Sequence, residues 1–160
     1  MAGAMNAFES CAGGGALKFS EWMDALRRFS RTRAARAEAA ERLRASLELQ
    51  AQRYDAVAGG GGGEGLESLV ELQEQDVDDA VAWRCAEGVA MQAIWKDARS
   101  VAMVCGPSEA WACHSVYVYD EEPREVARDL GLEPDALAAM LAGVCRRMDA
   151  EGWRLPPIFG

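Results

Sequence analysis

From Phe19 onward the apolar side chains recur three and four positions apart: Phe19, Trp22, Leu26 and Phe29, then Ala40, Leu43, Leu47, Tyr54 and Val57. That spacing is the period of a helix, not of a strand. No Pro or Gly interrupts it, so the pattern predicts one helix of roughly 39 residues, about 58 Å long at the standard rise. Between its two apolar ends the same seam carries Arg33 and Arg36. Neither is cheaply buried without an acidic partner. The alanines at 34, 35, 37, 39 and 40 favour helix and permit close approach by a second one. The alternative is a break near Thr32.

The run AGGGGGEG, Ala58–Gly65, is too flexible to continue a helix and long enough to reverse the chain. A second helical pattern follows through Leu66, Leu69, Val70, Val77, Val81, Cys85, Val89, Met91, Ile94, Trp95, Ala98, Val101 and Ala102. Gly106-Pro107 ends it, and the acids of QDVDD suggest a split near Asp76, where a cap could start a new helix. Ser108 is placed to cap a short helix through Cys113, whereas HSVYVYD alternates Val116 and Val118 with Tyr117 and Tyr119 as a half-buried strand would. Both readings stay open for residues 108–120.

Two further helices are expected, Arg124–Leu130 and Asp135 to about Ala150, with Pro134 in the first turn of the second and Gly152 at its end. Residues 1–18 are small and Gly-rich and read as a disordered lead. The chain closes GWRLPPIFG, where Pro156 and Pro157 favour an extended path displaying Trp153, Leu155, Ile158 and Phe159.

Val126, Ala127, Leu130, Gly131, Leu132, Leu137 and Met140 occupy the small, turn and crossing positions of two helices joined by a tight turn. Residues 123–141 thereby resemble the helix-turn-helix motif of bacterial-type regulators and winged-helix modules, which implies DNA binding. The residues at the start of the second helix argue otherwise. Glu133 and Asp135 stand where base edges and phosphates need donors, and Ala136, Ala138, Ala139, Ala142 and Gly143 follow. Separately, VAMQAIWKDARSVAMVC, Val89–Cys105, is similar to a helix in the C-terminal interaction domain of plant autophagy-initiating kinases. No functional residue carries over from that likeness.

The net charge of -9 weighs against general polyanion binding, but it is unevenly spread. Arg27–Arg44 holds seven Arg against Glu38 and Glu41, while Glu64–Asp79 holds seven acids and no base. One segment could shield the other. The five cysteines, at 11, 85, 105, 113 and 145, show no tight pairing motif, and the start of the chain lacks the basic and apolar stretches of a secretory signal. An intracellular, cytoplasmic setting is the expectation. Val89–Cys105 is too polar and too short to span a membrane.

Candidate chemistry is sparse. His114 is the only histidine and neighbours Cys113, but adjacent side chains seldom face each other as a nucleophile pair needs. A zinc site would require Cys105, Cys113, His114 and either Cys85 or Cys145 to converge without the usual ligand spacing. The Gly run lacks the Lys and Ser/Thr of a phosphate loop, and DVDDAVAWRCAE lacks the Gly of a calcium loop. No enzyme activity, metal or cofactor is expected.

These patterns predict an all-α protein: a long N-terminal helix in a helical hairpin or bundle, with a small C-terminal helical head. The expected organisation is a lead at 1–18, a helical arm at 19–58, a linker at 59–65, a helical domain at 66–152 and an apolar tail at 153–160. The expected role is a non-catalytic adaptor or subunit of a larger assembly that binds a protein partner or a second copy of itself. Trp22, Leu26, Phe29, Trp153, Leu155, Ile158 and Phe159 are the candidate partner-binding residues. The alternative is a winged-helix-like DNA-binding transcription regulator.

Overall fold

The computed structural model describes residues 17–54 and 63–158. They form α1 (Phe19–Tyr54), α2 (Gly63–Met91), a first π turn (Gln92–Lys96), α3 (Val101–Val104), α4 (Pro107–Cys113), a second π turn (His114–Val118), α5 (Pro123–Asp129) and α6 (Pro134–Ala150). The protein is all-α. Among the described residues the only extended pairing is a single antiparallel bridge between Leu17 and Leu155.

α1 runs without a break at Thr32, as its uninterrupted Ala-rich composition favours. Glu21 accepts the backbone N–H of Lys18 at 3.1 Å, the reciprocal half of a capping box. Asp149 of α6 accepts both the backbone N–H of Ser20 (2.9 Å) and its hydroxyl (2.6 Å), so a carboxylate from a distant helix satisfies the positive end of α1. Leu17 and Lys18 therefore belong to the fold; the rest of the expected disordered lead lies outside the described residues.

α2 begins at Gly63, inside the expected linker, and passes straight through Asp76. The split predicted there does not occur. Asp79 is used sideways rather than as a cap: its carboxylate accepts from Gln75 one turn back (2.9 Å) and from Arg36 of α1 (2.8 and 3.0 Å). Nor does Val89–Cys105 form one helix. The Asp97 carboxylate accepts the backbone N–H of Arg99 at 2.7 Å, an Asx turn that takes Asp97 into extended geometry and opens a bend before α3. Gly106, at φ 129°, then admits Pro107 as the first residue of α4.

Residues 114–118 are helical, which corrects the strand alternative. Within Ala110–Val118 only Trp111 is exposed and Tyr117 intermediate; the rest are buried. A helix covered on nearly all sides loses its amphipathic period, so the alternation of Val116 and Val118 carried no strand signal. α5 and α6 meet through Gly131, at φ 69°, in a Schellman arrangement: Leu132 N–H reaches Ala127 O (2.8 Å) and Gly131 N–H reaches Arg128 O (3.0 Å).

Contacts divide the chain into two units, a head built from the described residues up to Ser30 and from Arg84 on, and an arm from Arg31 to Trp83. The boundaries expected from composition differ because α1 and α2 each contribute to both. The head core gathers Phe19, Trp22, Met23 and Leu26 of α1 with Ile94, Val101, Val116, Val126, Leu137, Met148 and Leu155. Each such burial contributes about 1.5–3 kcal/mol.

Candidate protein-docking surface

Most of the side chains expected to meet a partner are spent inside the head. Trp22, Leu26, Phe29, Trp153 and Leu155 are all 4 % exposed or less. Trp22 donates its indole N–H to Pro156 O at 2.8 Å, and Trp153 donates to Arg99 O at 3.2 Å with the Arg99 guanidinium 4.5 Å above its ring. The tail is extended, as Pro156 and Pro157 require, but it lies in a groove of its own chain rather than on display. Ile158 is half-buried and Phe159 lies outside the described residues. As exposed docking side chains Trp22, Leu26, Phe29, Trp153 and Leu155 are corrected: the tail covers the start of α1, and each satisfies the other's need for burial.

Among the head's reactive groups His114 and Cys113 are turned inward, Cys105 and Cys145 are half-buried and Cys85 is exposed. Trp95 donates its indole N–H to His114 Nδ1 at 2.8 Å, and the Tyr119 ring lies 4.8 Å from the imidazole. With Nδ1 accepting, the neutral ring carries its proton on Nε2, which is buried without a partner among the described residues. Burial holds His114 below the ordinary imidazole range, against the opposing pull of Glu87 and Glu121. Cys113 is wholly buried and its thiol is pushed well up by desolvation. Burial likewise raises Cys105 and Cys145, the latter 3.8 Å from the Tyr117 hydroxyl. Thiols held protonated are weak nucleophiles and weak ligands. Among the described residues no three His, Cys, Asp or Glu side chains are grouped to hold a metal.

In α6 the exposed positions of the first turns are Asp135, Ala136, Ala138, Ala139 and Ala142, while Leu137, Leu141 and Val144 face inward. That outer face has no donor for a base edge. No helix among the described residues is long and apolar enough to cross a membrane.

The arm is different. Its helices lie antiparallel: Arg33 sits over the Trp83 ring (6.0 Å), Arg36 pairs with Asp79, and Leu47 reaches Gly65. The two arginines that break the apolar seam thus find an aromatic face and a carboxylate. Asp79 is 3 % exposed while the Arg36 side chain remains 41 % exposed, a half-buried polar contact that favours one register of the pair. At Gly65 an added Cβ would stand 2.6 Å from Leu47 Cδ2, a close approach that a glycine accommodates.

With that inner face engaged through Gly65, Asp79 and Trp83, and with Leu69 and Leu72 half-buried, α2 still carries a second apolar row. Leu66, Val70, Val77 and Val81 are 56, 48, 63 and 60 % exposed. At 100° per residue they fall within an arc of about 60° and extend about 22 Å along the helix. Glu67, Glu71, Glu74 and Asp78, all exposed, form a parallel row beside them at spacings of four, three and four. The sequence pattern contained both rows, since Leu66, Val70, Val77 and Val81 were already part of the helical period. What it could not separate was the face that meets α1 from the face that does not. Comparison with protein families, with curated proteins and with solved structures finds no match to this chain.

Proposed function

We propose that the protein is a non-catalytic helical adaptor or subunit of a larger assembly, and that it docks a protein partner along the outer face of α2 in the arm. The observation that carries this reading is the row Leu66, Val70, Val77 and Val81, four large apolar side chains in line on the face turned away from α1. Large apolar side chains exposed in line on one face, here in two pairs with Gln73 between them, are a feature of interaction sites. The inward-facing His114 and the buried, protonated Cys113 thiol support a role without catalysis.

The test is paired affinity capture of the wild-type chain and of Val70→Ser/Val77→Ser from cells that express it, read by mass spectrometry. The proposal expects a stoichiometric partner with the wild type that is lost with the variant while circular dichroism is unchanged. Identical captures with both chains would remove the arm as the docking surface.

A further inference from the structure

We infer that the partner of the α2 row is a basic amphipathic helix, an inference that rests on the docking reading above. Two parallel rows carry it. The apolar row at 66, 70, 77 and 81 offers ridges for the knobs of a second helix, and the acidic row at 67, 71, 74 and 78 runs alongside at the spacing of flanking positions in a coiled coil. A helix seated on the first row places its own flanking residues against the second. Lys or Arg there gains four regularly spaced carboxylates; Asp or Glu there meets like charge at each turn. Between Glu64 and Asp79 the chain has no basic residue to neutralise that row.

The other occupants fit less well. A second copy pairing α2 against α2 sets the two acidic rows together when antiparallel, and when parallel sets each against a flank of Gln73, Asp76 and Ala80 that offers no base. A second copy offering the outer face of its α1 arm brings Arg31, Ala35, Glu38, Arg42, Ala45 and Leu49, where Glu38 already pairs with Arg42 and a single large apolar side chain stands against four. Anionic lipid surfaces and nucleic acids are repelled by the same carboxylates. A helix that is both basic and apolar satisfies both rows at once.

The probe is a synthetic helical peptide of about three heptads with Leu on one face and Lys and Arg elsewhere. Two companions accompany it: one with Glu in place of the basic residues, and one of identical composition with the leucines scrambled off the common face. Binding is read by fluorescence anisotropy on the full chain at about 0.15 M salt. The expected result is saturable binding of the first peptide, weakened at least about tenfold in either companion. Val70→Asp/Val77→Asp, which makes the arm more acidic, is expected to lose at least about tenfold as well, with Val70→Ser/Val77→Ser as the milder variant should the first disturb the helix. Equal or tighter binding by the aspartate variant would show bare charge attraction and overturn the inference. So would preference for the Glu peptide, or no binding of any peptide. A dimer seen by sedimentation and dissolved by the serine variant would assign the row to a second copy: docking would stand and the basic partner would fall. Capture insensitive to the serine variant ends the docking reading itself.

Discussion

The indole N–H of Trp22 donates to the carbonyl oxygen of Pro156 at 2.8 Å, joining the first turn of α1 to a residue 134 positions later. The Leu17–Leu155 bridge and the Trp153 contact with Arg99 O flank it. The two ends of the described chain thereby close the head together.

Removal of Trp153–Gly160 therefore dismantles the head rather than freeing a docking tail. Trp153→Ala alone is expected to cost about 3–5 kcal/mol, read as a lowered urea midpoint and loss of near-ultraviolet circular dichroism. An unchanged midpoint in the truncated chain would show that the tail packs without contributing.

In the arm, Asp79→Ala removes the acceptor of Arg36 and Gln75, both of which can turn to water, and is expected to cost about 0.5–1.5 kcal/mol. Arg36→Leu/Asp79→Leu is expected to recover that loss or exceed the wild type, because two apolar side chains remove the desolvation cost of the pair. The polar layer then reveals its role in register: the double variant should show broader hydrogen-exchange protection across α2 despite equal stability. A double variant as unstable as the single one would contradict this account.

Two glycines should respond in opposite directions. Gly88 lies in α2 with nothing within 4 Å of an added Cβ, so Gly88→Ala is expected to stabilise by about 0.5–1 kcal/mol. Gly131 has equal space but sits at φ 69°, where a side chain is strained, so Gly131→Ala is expected to destabilise by about 1 kcal/mol. Thermal melts of the two variants check the sign, and a shift in the same direction for both would refute the backbone argument.

His114 gives the fold a pH dependence. Its folded-state pKa lies below the unfolded value of about 6.5 because burial, and the Trp95 N–H aimed at Nδ1, both favour the neutral ring. The unfolded chain then takes up a proton that the folded one refuses. Stability from this group is complete above about pH 6.5 and falls as the pH drops toward the folded value, by at most about 1.4 kcal/mol per pH unit. His114→Gln should flatten the dependence of the urea midpoint between about pH 7.5 and 5.5; an unaltered slope would assign it to other groups.

Local chemistry made much of this readable in advance. The uninterrupted three-and-four spacing after Phe19, Pro134 in the first turn of its helix, and Gly131 between two helices each act on the backbone within a turn or two, and each element formed where those residues stand. The same spacing showed that Arg33 and Arg36 required partners. It did not name Trp83 and Asp79, nor reveal that Trp22 and Trp153 would cover each other while Val77 and Val81 stayed in water. An apolar side chain at helical spacing states only that it must be covered. Which surface covers it depends on residues brought together across loops, whose closure costs entropy that no local pattern records. The course of α1, α5 and α6 was therefore a property of the sequence alone, whereas the helical state of 114–118 and the division between core and open surface were decided by tertiary packing.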